Sequence, residues 1–496
     1  MMQLKFIKNS NILVIILSTL LAIGLFFLEN WLSFLITVFL LPLILVNIFK
    51  KGLSGLYSFV ILLASLNPIP NSLDLPVIVF LIICLSITVK FFIDISNIYL
   101  KNILNYPETY ILLIFLLILL LNFLVAHKNE INFSDWIRGV LPFLFIYIYF
   151  FCVRYLQKYE DITLTIVSIV ISGAILITKG LYIFISEKLW LPKEYIYVPY
   201  IDSWVKAENE GDLFWQRITV LYPQATDVIY IICFFILTTF LVFSDSKKRW
   251  ILLPMIYGNF FIMIISYSRS FIISIIIGFF VLITLFTLIK KDLNKVKAFL
   301  IAFLITAVTV ILTVEILNLA PFKNRFYLFA LSIKETLSTK ENLSTKETLS
   351  TKDPNIFSRI EEIKIAFKMF KESPIIGKGF GVKHEIYYDI GFGKLKKFTK
   401  QYIHNWFFYF LMTTGIIGTL LYSSIYLMPL CKLLKQFILS QEVKSLYFYY
   451  NVITIISIFL LNFYSQMFAS FRLIGYNILI GIFLGISVTL NLLKGK

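Results

Sequence analysis

Charge is what this 496-residue chain has least of: 15% of its residues are Asp, Glu, Lys or Arg, against 59% hydrophobic. Soluble domains carry about 25% charged and roughly 45–50% apolar residues, so a soluble enzyme is excluded. Cysteine is also scarce. The four present, Cys84, Cys152, Cys233 and Cys431, lie inside or at the ends of apolar runs, and their spacing gives neither a disulfide framework nor a metal site. Histidine occurs three times, at His127, His384 and His404. No Asp-x-Asp pair is present to hold a divalent ion, and the acidic run Glu208-Asn-Glu210-Gly-Asp212 reads as a solvated loop. Neither a metal nor a cofactor is expected.

What is abundant is apolar surface, with 17% aromatic residues and a mean hydropathy of +0.87. A bilayer span needs about 20 mostly apolar residues, and fourteen such runs follow one another from 10–28 to 472–492. The first has no small-residue cleavage site and a second span begins almost at once, so it reads as an anchor and not as a signal peptide. The third is the weakest, because Asn67-Pro68-Ile69-Pro70 ends it. The net charge of +17 is then first a statement about topology, since Lys and Arg collect in short cytoplasmic loops. With the N-terminus inside, twenty of them fall in inner loops and tails and four in the short outer loops.

These observations predict an all-α polytopic membrane protein of about 14 transmembrane helices with both ends inside. Its parts are an N-terminal bundle (1–185), a first long outer loop (186–221), helices carrying a hairpin at Arg269 (222–320), a second long outer loop (321–403) and C-terminal helices (404–496). All three histidines then lie on the outer face. The second loop contains a tandem hexapeptide over 335–352, Glu335-Thr-Leu-Ser-Thr-Lys340 and two near copies; six residues per repeat put its leucines on different helix faces, which suits a disordered spacer. Beyond it, Ser358-Arg-Ile-Glu361 has capping-box spacing. Ile360, Ile363, Phe367 and Phe370 recur at helical intervals until Ser373-Pro374, predicting a short helix on the membrane surface or packed against protein.

Charged residues within spans usually mark function. Lys179, Asp227, Arg269 and Glu315 all fall in the outward portion of their spans, which points to a site at the outer leaflet, whereas a transporter gathers polar groups at mid-depth. Arg269 occupies the turn Ser266-Tyr-Ser-Arg-Ser270, and Arg217 precedes a span in Trp215-Gln-Arg-Ile-Thr-Val-Leu-Tyr-Pro223. Each alone could be an arginine snorkelling to the headgroups. Two guanidiniums at one depth would form a diphosphate clamp. Arg359 could add a phosphate contact, although Glu361 and Glu362 beside it favour a plain surface arginine. The stretch Pro374-Ile-Ile-Gly377-Lys-Gly379-Phe-Gly381 is not a dinucleotide loop, because it follows a helix; a turn allowing close backbone approach is the better reading. His404-Asn405 starts a span that continues through Gly415 and Gly418, small residues that permit tight helix packing. His404 is placed to act as a base, and His384 competes for that role without the span-edge position.

Taken together, these segments resemble the O-antigen ligase and O-antigen polymerase superfamily of polytopic bacterial glycan transferases. The resemblance covers about 217 to 418: the stretch Arg217 to Pro223, the Ser-Arg pair at 268–269, the run from Arg359 to Gly381, and His404-Asn405 followed by Gly-x-x-Gly. Tyr222-Pro223-Gln224 departs from the Asn-Pro-Asn of many relatives. The resemblance implies a multi-pass protein of the bacterial cytoplasmic (inner) membrane that transfers a glycan from a polyprenyl-diphosphate carrier to an acceptor hydroxyl. Arg217 and Arg269 would bind the donor diphosphate, and His404 would act at the acceptor, with Arg359 and Asn405 as further substrate contacts. The implied partners are the lipid-linked donor, a glycan or lipid acceptor, membrane lipid and a chain-length regulator protein, with no nucleic acid. A polymerase is favoured by the span count and two long outer loops, with a ligase acting on a lipid A-core acceptor as the alternative. A lipid-linked oligosaccharide flippase is the alternative of another class.

Overall fold

The computed structural model describes residues 9–27, 30–65, 75–95, 103–104, 106–188, 227–243, 247–265, 269–316, 354–389, 395–440, 445–467 and 469–494. Arg217, the acidic run at 208–212 and the hexapeptide repeat lie outside these residues. Among the described residues the architecture is all-α apart from one hairpin. The N-terminal part comprises α1 (Asn9–Phe27), α2 (Asn30–Lys50), α3 (Gly52–Leu62), α4 (Leu75–Asp94), α5 (Pro107–Lys128), α6 (Phe133–Leu144), α7 (Ile148–Tyr155) and α8 (Tyr159–Lys188). Then come α9 (Asp227–Phe243), α10 (Leu253–Ile265), α11 (Arg269–Thr284) and α12 (Leu293–Ile316). Helix α13 (Pro354–Glu372) and the antiparallel strands β1 (His384–Asp389) and β2 (Leu395–Lys400) precede α14 (Trp406–Leu439), α15 (Leu446–Met467) and α16 (Ile474–Lys494).

Ten helical segments among the described residues are long and apolar enough to span a bilayer, α6 and α7 counting as one through the turn after Pro142, and four more are apolar but shorter. This is the multi-pass membrane protein expected. The shorter ones include the segment from Gly52 to Ser65, where the span ending at Asn67-Pro68 was weakest. Helices α15 and α16 form the centre, with 72% and 83% of their apolar windows buried, while α2 and α12 turn most of theirs outward, at 28% and 22%.

The basic residues assigned to the inner side converge on one end of the bundle. There Lys90 pairs with Asp94 at 2.7 Å, the Lys290 and Lys295 ammonium groups donate to Ser440 and Val242 carbonyls, and Lys432 meets the buried Glu108 at 2.9 Å. At the opposite end Asp135 pairs with Lys383 at 2.8 Å, and the turn at Asn129 holds the Lys378 carbonyl.

That opposite end contains the feature that organises the fold. The glycine-spaced segment after α13 enters the bundle and lies in a break of α14. Gly415 interrupts α14 with φ 64°, and the Lys378 and Gly379 amides donate to the Met412 and Thr413 carbonyls at 2.8 and 2.9 Å, while the Ile416 amide donates to Pro374. The break frees backbone groups that lipid could not satisfy, and the inserted loop supplies their partners. Gly377, Gly379 and Gly381 all have positive φ, so the expected close backbone approach is present. Asn122 on α5 closes the insert: its amide nitrogen donates to Thr413 and its oxygen accepts the Phe380 amide at 2.8 Å. Replacing Asn122 with leucine orphans the buried Phe380 amide. The expected destabilisation is about 2 kcal/mol, read as a lowered unfolding midpoint of the detergent-solubilised protein.

Helix α13 begins earlier than the capping box suggested. Pro354 takes the first helical position, where its missing N–H costs nothing, and Ser358 lies inside the helix. It packs on α14 and β1. Its buried stripe is also displaced: Glu362 and Ala366 are buried, whereas Ile360 and Phe367 remain exposed.

Candidate functional site

Where α13, the link from β2 to α14, and the end of α15 meet, they enclose a cavity of about 210 Å³ lined by Arg359, Glu362, His404, Asn405, Gln466 and Met467. Each element delivers its residue for a local reason. Asn405 caps α14, its side-chain oxygen accepting the Phe408 amide, which fixes His404 just outside the first turn. The other end of the same amide donates to the Gln466 carbonyl at 3.1 Å, and Trp406 donates to Asn462 at 2.9 Å, so α14 and α15 are clamped at the cavity wall. Asn405 thus lines the cavity while its amide engages the protein on both sides.

The charge pattern is set by Glu362, a residue to which sequence reasoning assigned no role of its own. The Glu362 carboxylate is 1% exposed and touches His404 twice, at 2.8 Å from Nδ1 and as acceptor from the His404 backbone amide at 3.0 Å. Lys400 lies 3.5 Å away and Arg359 3.7 Å. A carboxylate stays charged when buried only if cations and N–H donors surround it, and those are the surroundings here. Burial holds the Lys400 ammonium below the ordinary lysine value, with Arg359 acting the same way and Glu362 pulling upward. Tyr402 ties this cluster together: Arg472 stacks on its ring at 4.3 Å, Lys400 lies over it at 5.3 Å, and it meets the His404 imidazole edge-on at 5.4 Å. The only sequence signal for Glu362 was its spacing four residues before Ala366 on the small, buried face of α13.

Arg269 begins α11. Two residues on, Phe271 stacks on Tyr464 at 5.5 Å, so α11 starts beside the last turn of α15, the turn that carries Gln466 and Met467. The backbone at Arg269 therefore approaches the cavity. Arg217 lies outside the described residues. Lys179 is 2% exposed on α8, whereas Glu315 on α12 is exposed.

His384 sits on β1 opposite Lys400, buried, with neither ring nitrogen hydrogen-bonded among the described residues. Burial, helped by Lys400, lowers its pKa from 6.5 to about 4. Its folded-state value is depressed, so it stays neutral at pH 7. Acidification from 6.5 toward 4 favours the unfolded chain, which takes up the proton first. The expected result is that the His384 imidazole resonance does not titrate between pH 8 and pH 5, whereas an ordinary histidine would. His127 stacks on Phe123 at the far end of α5 and is not part of the cavity.

No curated protein sequence matches the chain significantly. Residues 250–423 match the family model described as O-antigen ligase, a stretch that contains Arg269, Arg359, Glu362, His404 and Asn405. Residues 250–423 thus form an O-antigen ligase-type domain set in a multi-pass helical bundle, and the match supports the O-antigen ligase and polymerase superfamily that the motifs resemble.

Proposed function

We propose that the protein is a polymerase of surface polysaccharide, working without a metal on a polyprenyl-diphosphate-linked glycan at the outer face of the cytoplasmic membrane. The observation that carries this reading is the cavity itself, which brings a span-edge histidine and an arginine together inside the matched domain. The short-loop lysines gather at the opposite end of the bundle, which by the positive-inside bias turns the cavity outward.

In this reading the acceptor sugar hydroxyl gives its proton to His404 as its oxygen attacks the anomeric carbon of the donor. The bond between that carbon and the diphosphate oxygen breaks, and the departing diphosphate carries the electron pair. Arg269 and Arg217 stabilise that charge, with Arg359 at the cavity edge as a third contact. Fixed guanidiniums perform the task a divalent ion performs elsewhere, so glycan elongation in proteoliposomes is expected to continue in excess EDTA. Loss of activity on chelation, restored by a divalent ion, would overturn the metal-free reading.

The number of apolar helices and two long outer loops favour the polymerase over the ligase. The test is the glycan profile of a strain lacking the protein. Single-repeat products are expected; long chains left on the carrier would make it a ligase, and loss of the surface glycan with repeats trapped inside the cell would make it a flippase.

A further inference from the structure

Glu362 is the buried charge for which the proposed reaction so far has no use. Its neighbour Glu361 behaves as a surface residue, pairing with Lys364 at 2.7 Å in solvent. Glu362 instead faces inward from α13, and both its oxygens lie within 2.9 Å of His404 Nδ1. One of them also accepts the His404 backbone amide. Side chain and main chain of one residue are thus gripped by one carboxylate, 42 positions earlier in the chain. Among the described residues, the other charged or titratable groups around this pair are Arg359 on α13, Lys400 on β2 with His384 opposite it on β1, Tyr402, and Arg472 behind it. From α15 the cavity wall is uncharged, formed by Gln466 and Met467.

We propose that Glu362 is the positioning residue of the site, holding His404 in the tautomer with its proton on Nδ1 so that Nε2 is the nitrogen that takes the acceptor proton. A carboxylate can only accept, so the Nδ1 it touches must carry the hydrogen in the neutral ring. The same negative charge stabilises the imidazolium formed as the acceptor oxygen attacks, offsetting the two cations alongside. Lys400 and Arg359 in turn keep Glu362 ionised. This inference rests on the reading of His404 as the base, but its physical core, the tautomer and the charge coupling, stands or falls separately.

The chain's three histidines make the test direct. Full-length protein labelled with ¹⁵N-histidine in nanodiscs gives three imidazoles, each assigned by a His→Gln substitution. The expected spectrum at high pH has His404 protonated on Nδ1 and bare on Nε2. In Glu362→Gln, which keeps the shape and an acceptor oxygen but removes the charge, the His404 titration midpoint falls by about one pH unit; in Glu361→Gln it stays. Complementation of the deletion strain should show glycan synthesis reduced about tenfold or more in Glu362→Gln, with its acid limit in proteoliposomes moved to lower pH and partial recovery in Glu362→Asp. A proton on Nε2, or an unmoved midpoint in Glu362→Gln, overturns the proposal. Should the glutamine variant lose the His127 and His384 reference signals through misfolding, the wild-type tautomer decides alone. If His404→Gln still supports synthesis while the tautomer is as expected, the catalytic reading falls and the Glu362 coupling remains.

Discussion

Replacing His404 with alanine should lower glycan transfer by about 10²- to 10⁴-fold, the range that a positioned general acid or base contributes, and leave the protein folded. His404 lies outside the first turn of α14, which Asn405 caps independently of the imidazole. The clamp from Asn405 to Gln466 and from Trp406 to Asn462 also survives the substitution. What is lost is the proposed proton acceptor at the cavity and the partner of a buried carboxylate. Because Lys400 and Arg359 still neutralise Glu362, the stability penalty is smaller than for a lone buried charge. The measurement is complementation of a deletion strain read as glycan profile, with membrane abundance and unfolding midpoint as folding controls. Wild-type synthesis by the alanine variant would remove His404 from the mechanism. His384→Gln is the matching control: its ring belongs to the hairpin and not to the cavity, so synthesis should continue.

The second large effect is expected at a position without a side chain. Gly377→Ala should prevent assembly of the native bundle, at a cost of about 4 kcal/mol or more, combining strain at positive φ with overpacking. A Cβ at Gly377 would stand 2.4 Å from the Thr413 carbonyl carbon and the Thr414 nitrogen, both backbone, at a φ of 70°. Neither can yield, since the same contact carries the hydrogen bonds from Lys378 and Gly379 that satisfy the break in α14. Gly415 presents the reciprocal face, its Cβ position 2.4 Å from the Ile375 carbonyl. Expression in membranes and retention of a monodisperse detergent peak measure this outcome. Gly258→Ala, whose new methyl would meet an Ile177 side-chain methyl at 3.0 Å, should be tolerated, which separates the effect of the insert from that of any glycine in a span.

How the sequence carried these features differs from residue to residue. Long apolar runs announced the helices because lipid demands them one at a time, and the lysines at alternate ends announced the pairing of those ends. The glycines at 377, 379 and 381 announced backbone proximity, since only glycine adopts their φ without strain. Their partner was hidden. A segment as short as 373–381 lacks the length to register as a span, yet its glycine-rich half from Gly377 to Gly381 is held in the bundle because a broken helix waits there with unpaired carbonyls. Glu362 was hidden for a related reason: next to a second glutamate and between Arg359 and Lys364 on an amphipathic helix, it looks solvated until the fold brings His404 against it. Ile360 and Phe367 erred in the other direction, apolar by type and exposed by position, with Lys371 lying over the Phe367 ring at 4.8 Å.

Composition and spacing by themselves determined the solvent, the helical class and the alternation of helix ends, because each is written in local runs whose physics does not depend on distant partners; the resemblance of the motifs, and not their physics, pointed to glycan transferases. Only the tertiary structure decided which polar residues share a cavity. Burying the Glu362 carboxylate is tolerable only where His404, Lys400 and Arg359 arrive together, and that meeting is fixed by the loop locked into the break of α14, a long-range contact that no local run encodes.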